Sequence, residues 1–246
     1  MKKEQNIYLY VVQLTIVIAA VLAGLYNVLD PIYKQNRNAA KKEAILKCVP
    51  IVKEAQLASV ADVDATFKTN IEAIAIKPDG TIFKTIEEVN AARPSMQPYE
   101  SFSNIDLGLE EKIDEKDRVY PVYIYKQEGG NYYVVTVRGN GLWDKIWAFV
   151  ALEADLNTIA GIDFGHVGET PGLGAEIKDS KSFKDQFIGL KVFKGDNVAL
   201  TIQKKGIKDK DHDVAVISGA TVTCNGANDM FRSGFNHYKA YFSKVN

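Results

Sequence analysis

The chain has 246 residues, 46% of them hydrophobic and 25% charged, which is enough for one sizeable domain or two small ones beside an anchor. Lys and Arg number 30 against 31 Asp and Glu, and a net charge of −1 excludes the electrostatic footprint of a nucleic-acid-binding protein. The two cysteines, Cys48 and Cys224, have no C-x-x-C spacing and no neighbouring His, which argues against a zinc or iron–sulfur site built by this chain alone; a disulfide between them is an open alternative outside the cytoplasm.

Residues 7–29 (IYLYVVQLTIVIAAVLAGLYNVL) carry no charge. At about 1.5 Å per residue a helix there spans roughly 34 Å, the thickness of a hydrocarbon core. Tyr8, Tyr10 and Tyr26 sit near its ends, where aromatic belts lie. The alternative is a cleaved signal peptide with Lys2 and Lys3 as its n-region. The apolar run is too long for that, and it passes Ala19, Ala20 and Ala23 without a polar cleavage region. An uncleaved anchor in a lipid bilayer is expected. Lys34, Arg37, Lys41 and Lys42 follow the span, but long domains translocate largely regardless of such charges, so the side stays open.

After Pro31 the spacing of Ala44, Ile45, Cys48 and Val52 predicts a juxtamembrane helix that breaks near Pro50. IEAIAI, KPDG and TIFK read as strand, turn and strand. Residues 85–118, charged and holding Pro94 and Pro98, read as a peripheral excursion with little regular structure. From Val119 a hairpin (VYPVYIYKQ, EGG, NYYVVTVRG) leads to the strands IWAFVALEAD and TIAGIDFG. A short helix KSFKDQFIG, the strand VALTIQ and the strand DVAVI follow. The spacing of Ala227, Met230, Phe231, Phe235, Tyr238, Tyr241 and Phe242 predicts a closing helix. The expected class is α+β: an N-terminal transmembrane helix, then a mainly antiparallel sheet with flanking helices. The expected segments are the anchor at 1–32, a juxtamembrane and peripheral region at 33–118, and a binding domain at 119–246.

Three motifs carry chemistry. SGATVT (218–223) follows a strand and opens a helix, whose first N–H groups lack internal partners and favour a phosphate. Gly219 and Ala220 keep side chains small there, and Ser218, Thr221 and Thr223 supply hydroxyls. A plain helix-capping sequence is the alternative. HVGETPGLGAEI (166–177) lies in a run with five glycines between Gly161 and Gly174, a density typical of a turn or of backbone lying against a ligand. It is neither G-x-G-x-x-G nor a P-loop. GNGLWD (139–144) puts glycines beside one large aromatic, suited to flank a flat ring or to pack on the core.

These three motifs, in this order behind one transmembrane helix, resemble the NqrC family, the C subunit of the sodium-translocating NADH:quinone oxidoreductase. The resemblance covers Val119 to the C-terminus and the anchor. It implies FMN bound covalently through its phosphate to Thr221, the threonine ending S-G-A-T, by a separate flavin transferase. Thr223, just inside the helix, is the rival attachment point. The family surrounds the flavin with the GETPGLG loop and the GLW segment, which implies Leu142, Trp143, Glu169, Thr170, Leu173 and Gly174 near it, beside Ser218, Gly219 and Ala220. The family usually has Asp three residues before the serine; here that position is Ala215, with Asp213 two residues further upstream. The implied role is electron relay between a metal centre in membrane subunits and a second covalent flavin in the B subunit. The implied partners are the B, D and E subunits, with the domain on the periplasmic side of the inner membrane. The G subunit of the Rnf ferredoxin:NAD oxidoreductase shares the domain and is the alternative, as is an anchored non-redox binding module.

No dinucleotide fingerprint points to NADH binding by this chain, and a single helix cannot enclose an ion path. No His, Asp and Ser arrangement suggests hydrolysis, so no catalytic side chain and no metal ligand is expected. His212 and His237 read as exposed or helix-surface residues, Lys204 and Lys205 as solvated, and Cys224 as a small buried residue.

Overall fold

A computed structural model of the chain describes residues 2–245; Met1 and Asn246, at the outer ends of the expected segments 1–32 and 119–246, lie outside the described residues. The backbone divides into two compact units, one ending at Ala40 and the other starting at Lys41.

The first unit is helical. It forms most of α1 (Lys2–Lys47), which runs through Pro31 and stops ahead of Pro50. Proline removes one i→i−4 bond, yet the helix continues without a break there. Among the described residues this is the helix long and apolar enough to cross a membrane. Its aliphatic side chains, Ile16, Val17, Leu22 and Val28 among them, are exposed. The Thr15 hydroxyl donates to the Val11 carbonyl at 2.8 Å, which satisfies a polar side chain within the apolar stretch from the helix's own backbone.

The second unit is built on a six-stranded antiparallel sheet in the order β2-β1-β3-β4-β5-β6. The strands are β1 (Ile71–Ile76), β2 (Ile82–Phe83), β3 (Tyr120–Tyr125), β4 (Tyr132–Asn140), β5 (Lys145–Leu152) and β6 (Ile159–His166). Side chains alternate between the two faces of a strand. On β5, Ile146, Ala148, Val150 and Leu152 join one core while Trp147, Phe149 and Ala151 face the other. Both faces are covered, so β5 reads as a nearly unbroken apolar run. Ile45, Leu46, Cys48 and Val49, with Val63 of α2 (Val60–Asn70), pack on Tyr123, Val134 and Phe149.

On the opposite face lies α7 (Thr221–Asn236), whose buried residues Cys224, Ala227, Met230, Phe231 and Phe235 recur at helical spacing. Between β6 and α7 the chain forms α5 (Glu176–Asp179), α6 (Lys181–Asp185), the small hairpin β7 (Phe193–Lys194) and β8 (Asn197–Val198), and the parallel pair β9 (Thr201–Gln203) and β10 (Asp213–Ala215). The Asn228 amide holds α7 to β9 by accepting from the Ile202 N–H at 2.7 Å and donating to its carbonyl at 3.0 Å. Glycine brings α7 close to β4: a Cβ on Gly234 would lie 2.6 Å from Cγ1 of Val137, and one on Gly226 would collide with the Asn140 carbonyl.

Four expectations are corrected. Residues 85–118 contain regular structure: α3 (Ile86–Ala92), α4 (Leu107–Glu110) and two 3-10 turns. Thr85 and Glu88 form a reciprocal capping box at the start of α3. Arg93 and Glu110 form a buried ion pair at 2.8 Å that holds the excursion closed. The closing helix is two helices, α7 and α8 (Lys239–Val245), and the Tyr238 hydroxyl at their junction donates to the Thr136 carbonyl at 2.9 Å. His212 is buried, its Nδ1 3.1 Å from the Asp209 carboxylate. His237 is half-buried and stacks on Tyr120 with ring centroids 4.4 Å apart. Both cysteines are free and buried, in separate cores.

Candidate functional site

The approach to α7 is a tight turn. The Ala220 N–H donates to the Ile217 carbonyl at 3.1 Å, and Gly219, third in that turn, has φ +78°. A non-glycine residue is rarely found with that backbone in a turn. Ser218, Gly219 and Thr221 are exposed and Ala220 is buried.

Helices α2, α3, α4 and α6 start with Ser59, Thr85, Asp106 and Ser180, each accepting a backbone N–H of its own helix. The start of α7 differs: Ala220 occupies the capping position and offers no side-chain acceptor. The first intrahelical bond is from the Cys224 N–H to the Ala220 carbonyl at 2.9 Å. The N–H groups of Thr221, Val222 and Thr223 therefore have no intrahelical partner, at the positive end of a 16-residue helix.

Thr221 and Thr223 face opposite environments. Thr221 is exposed at the helix start, whereas Thr223 is 1% exposed and its hydroxyl donates to Oε2 of Glu169 at 2.5 Å. The other carboxylate oxygen of Glu169 accepts the Trp143 N–H at 2.9 Å. The Glu169 N–H in turn donates to Nδ1 of His166 at 3.2 Å. The Trp143 indole N–H reaches the Thr170 hydroxyl at 3.1 Å. The loop 141–144, which closes the β4–β5 hairpin through Gly141 N–H to the Asp144 carbonyl at 2.7 Å, thereby meets the loop after β6 and the start of α7. Leu173 of that second loop approaches Gly219, where a Cβ would stand 2.6 Å from Cδ2.

The three segments singled out by sequence thus converge, although they are separated along the chain. Leu142, Trp143, Thr170 and Leu173 are exposed around the start of α7, with Trp143 at 69%, so it does not pack on the core. Glu169, Gly174, Ala220 and Thr223 lie buried behind them. Val167 and Val222, which the motifs did not single out, are exposed aliphatic residues on the same segments. Their signal was available in Val222, an aliphatic side chain between two threonines at a helix start. Lys204 and Lys205 are exposed.

A phosphate fits the uncapped helix start beside the Thr221 hydroxyl, and a flat apolar ring fits the exposed side chains of Leu142, Trp143 and Leu173. The exposure of Leu142, Trp143, Thr170 and Leu173 makes the convergence an open surface. Among the described residues no cluster of His, Cys, Asp and Glu could hold a metal ion. Asp213 is buried on β10. Burial pushes its carboxyl up, but the N–H groups of Asp209 and Lys208, each at 2.8 Å, and the Gln203 amide outweigh it and hold the carboxyl below the ordinary range. Burial raises the Cys224 thiol, keeping it a protonated packing group.

A family model described as an FMN-binding domain matches residues 141–236, a range that includes the second and third segments in chain order and the first from Gly141 onward. The chain is 31% identical over 241 residues to the C subunit of the Na(+)-translocating NADH-quinone reductase of Haemophilus ducreyi, covering 94% of this chain and 91% of that one. It is 33% identical over 212 residues to the same subunit of Vibrio campbellii, covering 79% of each. Among solved structures, the corresponding subunit from Parabacteroides distasonis matches with a TM-score of 0.70 at 26% identity, covering 87% of this chain and 97% of that one. NqrC from Shewanella oneidensis matches with a TM-score of 0.64 at 24% identity over 84% of this chain and 98% of that one, a likeness of fold.

Proposed function

The chain belongs to the NqrC family, the C subunit of the Na(+)-translocating NADH-quinone reductase and part of an oxidoreductase complex, and from that premise we propose that it carries FMN through a phosphoester on Thr221 and relays electrons inside the complex. Flavin supplies the electron-carrying chemistry when bound; the protein supplies binding, orientation and electrostatics. The N–H groups at the start of α7 hold the phosphate oxygens, and Thr221 Oγ1 provides the ester oxygen. Ser218 and Gly219 form the lip beside the phosphate. Leu142, Trp143, Thr170 and Leu173 flank the ring. Ala220, Glu169, Gly174 and Thr223 support these residues from behind.

The observation that carries this reading is the contrast between two threonines on one helix turn. Thr221 is exposed at an uncapped helix start, whereas the Thr223 hydroxyl is buried and bonded to Glu169. An attachment reaction needs an accessible oxygen, and Thr221 has one.

Covalent attachment suits a relay that must retain its carrier. The long apolar part of α1 anchors the subunit in the inner membrane with the folded unit on the periplasmic side, where the D and E membrane subunits deliver electrons and the B subunit receives them. A flavin transferase forms the bond by moving the FMN unit from a flavin dinucleotide: the pyrophosphate P–O bond breaks, the nucleoside monophosphate leaves, and Thr221 Oγ1 gives up its proton as it bonds to phosphorus; the transferase accepts Ala215 in place of the usual Asp.

The test is to purify the protein from its native host, denature it on a gel and look for flavin fluorescence in the band, with intact mass in parallel. Wild type and Thr223→Val are expected to keep the flavin, and Thr221→Val to lose it. A bare wild-type polypeptide, or flavin retained by Thr221→Val, overturns the assignment.

A further inference from the structure

We propose that Glu169 is a positioning residue: its buried carboxylate is a strut that locks the Trp143 loop and the loop after β6 onto the first turn of α7, and so fixes Thr221 relative to the ring-flanking residues. The strut itself stands on geometry alone; its consequence for flavin rests on the proposed function.

Glu169 is 4% exposed, and both of its carboxylate oxygens are engaged within the protein. Oε1 accepts the Trp143 N–H at 2.9 Å and Oε2 accepts the Thr223 hydroxyl at 2.5 Å. A buried carboxylate is costly unless its lone pairs are met. Bonds to an ionised acceptor are about twice as strong as neutral ones. Thr223 is the third residue of α7, so the carboxylate also lies at the positive end of that helix.

The seat of this carboxylate is made by two glycines from two different motifs. A Cβ on Gly141 would collide with Oε1 of Glu169 and lie 2.8 Å from Cγ2 of Ile146. A Cβ on Gly174 would collide with Oε2 and lie 2.6 Å from Oγ1 of Thr223. One glycine of each motif, Gly141 of GNGLW and Gly174 of GLG, is thus explained by one side chain between them. Glu169 therefore meets a ligand through what it holds in place.

The experiment uses the full chain with Glu169→Gln and Glu169→Ala. A glutamine keeps the strut without its charge, because the amide oxygen accepts from Trp143 and the NH2 group donates to Thr223; alanine removes both bonds. Amide hydrogen exchange at Trp143 is expected to be about tenfold or more faster in Glu169→Ala and nearly unchanged in Glu169→Gln. The visible circular dichroism of the bound flavin should change in the Ala variant and be restored in the Gln variant. Unchanged Trp143 exchange in Glu169→Ala, or a Gln variant that behaves like Ala, overturns the proposal. Should Glu169→Ala not fold, Thr223→Val decides: faster Trp143 exchange supports the strut and unchanged exchange overturns it. A wild-type chain without flavin would sink the functional reading while leaving the exchange comparison to judge the strut.

Discussion

Gly219 and Leu173 lie against each other: a Cβ built on the glycine would stand 2.6 Å from Cδ2 of the leucine, and the glycine holds φ at +78°. One residue belongs to the turn before α7 and the other to the glycine-dense loop after β6, so this contact joins the same two motifs as the bond from Thr223 to Glu169. It ties the backbone next to Thr221 to a side chain that is 44% exposed and suited to lie beside a bound ring.

Gly219→Ala is accordingly expected to lose about 1–2 kcal/mol of stability through left-handed backbone strain. It should also push Leu173 outward and lower the flavin content per chain. Adding Leu173→Ala relieves the collision but not the strain, so stability should recover only in part. Urea denaturation and flavin fluorescence of the single and double variants, beside wild type, check this.

Gly226→Ala reverses a general rule. Alanine in a helix interior usually gains about 1 kcal/mol over glycine. Here the added methyl would strike the carbonyl of Asn140, backbone that cannot rotate away as a side chain could. A net loss of about 1–3 kcal/mol is expected. The exposed Ser233 on the same helix provides the control, where Ser233→Ala should change stability by less than about 0.5 kcal/mol.

The buried pair Arg93–Glu110 should matter far more than an exposed one. Its side chains are 6% and 1% exposed, and Glu110 also accepts the Tyr99 hydroxyl at 2.6 Å and the Val119 N–H at 2.8 Å. Arg93→Met leaves a carboxylate buried without its cation and should cost about 3–5 kcal/mol. Lys181→Ala, which breaks an exposed i,i+4 pair, should cost under about 0.5 kcal/mol. Thermal denaturation of both variants tests the contrast.

Stability should fall as the solution is acidified through the histidine range. Burial lowers the pKa of His237, Glu115 nearby raises it less, and Arg118 lowers it further. The unfolded chain then takes up a proton that the native chain resists, so native stability declines from about pH 6.5 downward until the folded-state pKa is passed. His237→Phe retains a ring on Tyr120 and removes the titration, so its stability should vary less over that interval. A series of urea titrations at stepped pH measures the difference.

Much of this fold was legible in the chain because its signals are local. Strand alternation in β4 to β6, the spacing of Ala227, Met230, Phe231 and Phe235, and the apolar run of α1 follow from periods of two and 3.6 residues. Residues 85–118 were less legible, although the Thr85 and Glu88 box was there to be read. Its short helices are held by Arg93 and Glu110, a long-range pair that no local period marks. His212 and His237 looked like surface residues for a similar reason. Their burial depends on Asp209 and the β7 hairpin in one case and on Tyr120 in the other.

By itself the sequence determined that the chain has one membrane-length helix, an antiparallel sheet flanked by helices and three glycine-bearing motifs in a set order. Each of these depends only on neighbours a few residues away. Tertiary structure alone decided which motif residues face outward and which are consumed inside the protein. Thr221 and Thr223 stand two positions apart with the same hydroxyl, and helical geometry turns them to opposite sides. What distinguishes them chemically is Glu169, 54 residues away from Thr223, which arrives only when the sheet and α7 have packed. A hydrogen-bond partner brought by packing leaves no trace in local spacing, so the difference between an available hydroxyl and a committed one had to come from the fold.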